Sequence, residues 1–135
     1  MCLIQHLILR IIQIKKLKSN YNVGLLSTNT KENLNIFLKN HKISYLFDFV
    51  ESEKDLFKKH KTLLKIINDN KLDCNKLLYI GDEVRDIETC KIVNIPILSV
   101  AWGFNNFDIL SKNNKFVIQN ANELETMINL ILKKI

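Results

Sequence analysis

The sequence predicts an α/β fold: a parallel sheet covered by helices on both faces, in three layers. Three observations lead there. Short apolar runs alternate with amphipathic stretches at β-α spacing. The apolar runs VGLLS, KLLYIG and PILSVA show no in–out alternation, as expected of strands buried on both faces. The residues able to do chemistry fall just after strands, where open parallel sheets bind their ligands.

The elements follow in order. Residues 3–18 read as a helix, apolar over most of its circumference, with no assigned role. VGLLS (23–27) is a buried strand. Asn29 with Glu32 forms a cap-like pair opening a helix with Leu34, Phe37 and Leu38 on one face. YLFDFV (45–50) reads as a second strand. Residues 59–69 form a helix with Leu63, Leu64, Ile66 and Ile67 inward, and KLLYIG (76–81) is the clearest strand. A helix over 84–93 stops before Pro96. PILSVA (96–101) is a strand closed by Gly103. A short helix over 107–112, an edge strand FVIQ (116–119) and a helix over 121–134 complete a single domain spanning 1–135.

Composition excludes several classes. With 135 residues the chain suits one domain with a real core. No apolar run is long enough to span a bilayer, so no membrane partner is expected. The start, MCLIQHLILRIIQIKK, is interrupted by Gln5, His6 and Arg10 and lacks the pattern of a signal peptide. The net charge is +6, but the lysines are scattered among abundant Asn and Ile. That mixture reads as a coding bias toward A and T, and nucleic acid is not expected as a partner. Cys2, Cys74 and Cys90 form no CxxC, and His6, His41 and His60 are isolated. Free thiols fit a reducing compartment, and a cytoplasmic location is expected.

Three places could carry chemistry. Asp82 follows the KLLYIG strand directly, and Asp86 lies one helical turn further on, so both carboxylates can face one point. Two hard oxygens at a strand end suit Mg²⁺, although acids also favour helix N-termini for electrostatic reasons. Ser27, Thr28 and Asn29 end one strand and open a helix, where hydroxyls and unpaired N–H groups either bind an anion or simply cap. Lys59 opens a third helix against the helix dipole, within a lysine-rich KKHK that also fits a solvated face.

Taken in order, these motifs resemble the later motifs of the haloacid dehalogenase superfamily, in the manner of phosphoglycolate phosphatase-like members. GLLSTNTKENLNIFLKNHKI resembles the phosphate-contacting motif, LFKKHKTLLKII the lysine motif, and LLYIGDEVRDIETCKIVNIPILSVAWGFNN the metal-binding acids and the strand after them. The resemblance covers residues 15–130. It implies a Rossmann-like core acting as a Mg²⁺-dependent phosphatase. Ser27 and the N–H groups of Thr28 and Asn29 would bind phosphate, and Lys59, or alternatively Lys58, would neutralise charge. Asp82 would ligate Mg²⁺, and Asp86 would support the metal through water or hold the lysine.

The superfamily's first motif is hhhhDxDxT on a central strand, whose first Asp attacks phosphorus. These 135 residues contain no D-x-D, and residues 1–20 contain no Asp or Glu. The resemblance therefore implies a truncated core, with the central strand and the cap missing or substituted. Mg²⁺ would be bound weakly or not at all, and the chain would be inactive alone. The empty strand position must be closed by direct pairing, by a substitute strand from residues 3–14, or by another chain. A complementing chain, self-association and a small phosphorylated ligand are the expected partners. A non-catalytic binding module is the further alternative.

Overall fold

The computed structural model describes residues 2–5 and 11–133. Its strands are β1 (Cys2–Gln5), β2 (Val23–Ser27), β3 (Phe49–Ser52), β4 (Leu78–Gly81), β5 (Ile97–Val100) and β6 (Val117–Ile118). Its helices are α1 (Ile11–Asn20), α2 (Lys31–Asn40), α3 (Lys59–Asp69), α4 (Val84–Val93), α5 (Phe107–Ser111) and α6 (Leu124–Lys133). The strands form one sheet in the order β3-β2-β1-β4-β5-β6, and every neighbouring pair is parallel. None of the described helices is long and apolar enough to cross a membrane.

Alternation along the strands sorts the core into two faces. Leu78 and Ile80 join Ile4, Val23, Leu25, Leu98 and Val100 against α1, α2 and α6. Leu77 and Tyr79 join Leu26 and Ile97 against α3, α4 and α5. This is the three-layer α/β arrangement expected from the apolar runs.

The N-terminal segment differs from the helix expected over 3–18. Residues 2–5 are a strand, and the helix begins only at Ile11. β1 pairs with β2 on one side and β4 on the other, and Ile4 is fully buried. The physical reason is the sheet. Without β1, two inner strands would present unpaired N–H and C=O groups to the interior, at roughly 1–3 kcal/mol for each group. Filling that slot outweighs the helix propensity of the segment. Of the three ways to close the gap, the substitute strand is the one adopted.

Two smaller boundaries also shift. Ser44–Leu46 form a 3₁₀ turn, and the strand expected at 45–50 runs instead over Phe49–Ser52. The cap of α2 is Thr30, whose hydroxyl accepts from Asn33 N at 3.1 Å, rather than Asn29. At the amino end of the sheet, the Asp48 carboxylate accepts from Lys18 Nζ at 2.6 Å and from Val23 N at 2.8 Å, tying α1 to the start of β2.

Candidate functional site

The register sets the site. Ile4 pairs with Leu25 on β2 and with Ile80 on β4, so those two residues stand level. Two residues further along each strand come Ser27 and Asp82, both at the carboxyl edge of the sheet and separated by about 10 Å, two strand spacings. Between them stands the end of β1, where Gln5 pairs with Leu26.

Asp82 leaves β4 at the edge and is 8% exposed, so solvent reaches only a sliver of it. Its Oδ2 accepts from Phe104 N at 2.9 Å, and its carbonyl accepts from Asn105 N at 3.0 Å. Gly103 permits this approach, since a Cβ there would lie 2.2 Å from Asp82 Oδ2.

Asp86, in the first turn of α4, is fully buried. Its Oδ1 accepts from Lys59 Nζ at 2.7 Å and from the Tyr79 hydroxyl at 3.3 Å. Its Oδ2 accepts from Glu83 N at 3.1 Å, closing a capping box in which the Glu83 side chain accepts from the Asp86 N–H. Gly81 makes room for it, because a Cβ there would lie 2.7 Å from Asp86 Oδ2. Burial raises the Asp86 carboxyl above the ordinary range, although Lys59's charge and the hydrogen bonds from Lys59 and Glu83 pull the other way. Glu83 is raised too, first by burial and then by the charges of Asp86 and Asp82.

Lys59 is the first residue of α3 and only 2% exposed, whereas Lys58 beside it is exposed. A lysine at this end opposes the helix dipole. The Asp86 carboxylate at 2.7 Å supplies the charge that makes the position tenable. The Tyr79 ring lies below, with Nζ at 5.9 Å from its centroid. Burial, then the Asp86 charge, pushes the Tyr79 phenol well above its ordinary value, so it stays protonated and can donate to Asp86.

Ser27 is fully buried, and its Oγ accepts from Asn29 N at 3.1 Å. Thr28 and Asn29 are exposed beyond the strand end. Asn29's carbonyl accepts from the Ser52 hydroxyl, so the loop before α2 is held to the neighbouring β3.

The structure thus brings Lys59, Asp82 and Asp86 to one end of the sheet and sets Ser27, Thr28 and Asn29 on the same edge. Among the described residues, no group of three acidic, histidine or cysteine side chains gathers as a metal cage. Asp82 has the chemistry of a hard oxygen ligand at the rim, while Asp86 spends its oxygens on Lys59, Tyr79 and Glu83. Sequence reading missed Tyr79, Phe104 and Asn105. For the last two the signal was present in AWGFNN, directly after the strand that Gly103 closes.

Known proteins show the same fold and the family. The family described as haloacid dehalogenase-like hydrolase matches residues 8–100. A phosphoglycolate phosphatase of Synechococcus elongatus is 30% identical over 84 residues, covering 62% of this chain and 40% of the relative. Among solved structures, a haloacid dehalogenase-like family hydrolase from Streptococcus pneumoniae superposes with a TM-score of 0.74 at 21% identity, over 86% of this chain and 56% of that one. A predicted phosphatase from Clostridium acetobutylicum gives 0.77 at 18% identity, over 87% and 56%. A three-layer parallel α/β core with its polar residues on the carboxyl edge is the class the fold defines. Within that class, the chain belongs to the haloacid dehalogenase-like hydrolases. It spans 40% of the phosphoglycolate phosphatase it matches and 56% of each of these two structures.

Proposed function

We propose that the chain carries the phosphate-facing and metal-facing end of a phosphatase site, of the phosphoglycolate phosphatase kind, and that these 135 residues alone do not turn over phosphate monoesters. The observation that carries this is the buried Lys59–Asp86 pair beside Asp82, at the edge that also holds Ser27. A buried cation fixed at a strand edge suits the charge neutralisation that phosphoryl transfer needs. Lys59 would face phosphate with the N–H group of Thr28, and Ser27, whose Oγ accepts from the Asn29 N–H, would shape the loop. Asp82 would hold Mg²⁺, which supplies a Lewis acid for phosphoryl oxygens when bound, and Asp86 holds the lysine. The ligand would be a small phosphorylated molecule.

The attacking carboxylate that the family resemblance implies would stand on the central strand, between Ser27 and Asp82. The strand standing there, Cys-Leu-Ile-Gln, contains none. Charge stabilisation without a nucleophile leaves attack by water, and uncatalysed monoester hydrolysis is among the slowest reactions known. The free thiols of Cys74 and Cys90 support a cytoplasmic location.

The test is purified chain with p-nitrophenyl phosphate and Mg²⁺, with Asp82→Asn as control. No turnover above background is expected in either. Turnover of about one per second that disappears in the control would sink the inactive reading, since the median enzyme manages about ten per second. Activity appearing only after addition of a D-x-D-bearing fragment would instead establish a split enzyme completed by another chain. Mg²⁺ binding by calorimetry should be about millimolar or weaker, because so few protein ligands converge.

A further inference from the structure

Asp82 is held from a loop more than twenty residues further along the chain, and one side chain in that loop also bonds to the start of α4. Hydrogen bonds join the β5–α5 loop to the β4–α4 turn. Phe104 N donates to Asp82 Oδ2 at 2.9 Å, Asn105 N donates to the Asp82 carbonyl at 3.0 Å, and Val84 N donates to Asn105 Oδ1 at 3.0 Å. The Val84 N–H is one of the first-turn donors of α4, which have no partner inside the helix. The capping box of Glu83 and Asp86 satisfies other groups at that helix end. Asn105 satisfies Val84 from outside, while its own N–H reaches back to Asp82. Asn105 therefore contacts the chain at Asp82 and two residues beyond it, next to the Phe104 N–H that donates to the carboxylate. Gly103 lets the loop come this close.

We propose that Asn105 is the positioning residue of Asp82: its side-chain carbonyl, locked onto the start of α4, holds the loop whose Phe104 N–H orients the Asp82 carboxylate toward a bound divalent cation. The cation part rests on the proposed role of Asp82 as the Mg²⁺ ligand. Groups that orient a ligand carboxylate set metal affinity even though they never touch the ion, and losing one typically costs 10–100-fold.

The experiment is nuclear magnetic resonance on the intact chain, reading amide exchange at Phe104 and Mg²⁺-induced shifts around Asp82, with thermal unfolding as a parallel measure. In Asn105→Ala, exchange at Phe104 should speed up by about tenfold or more, while Leu98 in β5 is unchanged, and Mg²⁺ affinity should fall by about tenfold. Asn105→Asp keeps an acceptor for Val84 N and should restore both. A carboxylate also adds charge, so Asn105→Ala with Asn106→Asp serves as the charge control and should not restore Phe104 protection. If Asn105→Ala fails to fold, Asn105→Ser, whose shorter side chain withdraws the acceptor, takes its place. Unchanged Phe104 exchange overturns the proposal. So does lost protection with unchanged Mg²⁺ affinity, since Asn105 would then hold the loop without positioning the acid. If the wild-type chain shows no Mg²⁺ shifts at all, the metal reading of Asp82 falls and the proposal falls with it, whatever Phe104 exchange shows.

Discussion

Lys59 is placed where two penalties meet, a helix N-terminus and an interior, and a single carboxylate answers both. Removing one member of such a pair leaves the other charged and buried. Lys59→Met should therefore destabilise the fold by about 3–5 kcal/mol in denaturant titration. Lys59→Met combined with Asp86→Leu should recover much of the loss, because replacing both ions by apolar groups of similar size is often neutral. Equal destabilisation in the double variant would mean that Tyr79 and Glu83, not the ion pair, hold this corner together. Gly81→Ala is a sharper local test. Its Cβ would meet the Asp86 side chain at 2.7 Å, so the acid must move away from Lys59. The expected sign is destabilisation even though alanine suits a strand no worse than glycine.

Among the elements, β1 shows how pairing overrides propensity. Its few residues carry the ladder between β2 and β4, and Ile4 is buried in the core facing α1, α2 and α6. Ile4→Ala should cost about 2–5 kcal/mol, the range for large-to-small changes in a core. An effect under about 0.5 kcal/mol, the size usual for surface changes, would show that β1 is not seated in solution. At the amino end, α1 is clasped to the sheet through Asp48. Burial works against that charge, but the hydrogen bonds from Lys18 and Val23 N–H and the Lys18 charge outweigh it and hold the carboxyl below its ordinary value. A depressed carboxylate contributes stability that is present above its unfolded pKa, about 3.9, and is lost as pH falls through the folded value. Melting temperature should drop below about pH 4, and Asp48→Asn should flatten that limb. The pair is partly exposed, so added salt should shrink the effect.

At the scale of the whole molecule, the sheet should open from its edges. Among the described residues β6 has two residues and lies at the sheet edge beside β5, while β1 and β4 lie at the centre. Native-state hydrogen exchange should show β1 and β4 amides opening only with global unfolding and β6 opening earlier. Early exchange in β1 would mean that its slot is available to another strand, which would favour completion by a second chain over a settled central strand.

Much was legible in the residues themselves. VGLLS, LYIG and ILSV are buried strands because uninterrupted apolar β-formers leave no polar face to offer water, and their order gave the parallel α/β fold. Asp82 and Asp86, one helical turn apart after a glycine, could be placed near one another by spacing, while their suggested roles came from the order of the motifs. Other features depend on partners distant in sequence. Residues 2–5 became a strand because the gap between β2 and β4 required one, and local propensity carries no information about a gap. Lys59 could be separated from Lys58 only once α3 lay against α4 and one of the two lysines met Asp86. Asn105 acquired its place because the loop after β5 folds back over the turn after β4. Periodicity and spacing record what a residue does for its own element. Which of two lysines is buried, and which amide holds an acid, depends on contacts between elements, and those exist only in the folded molecule.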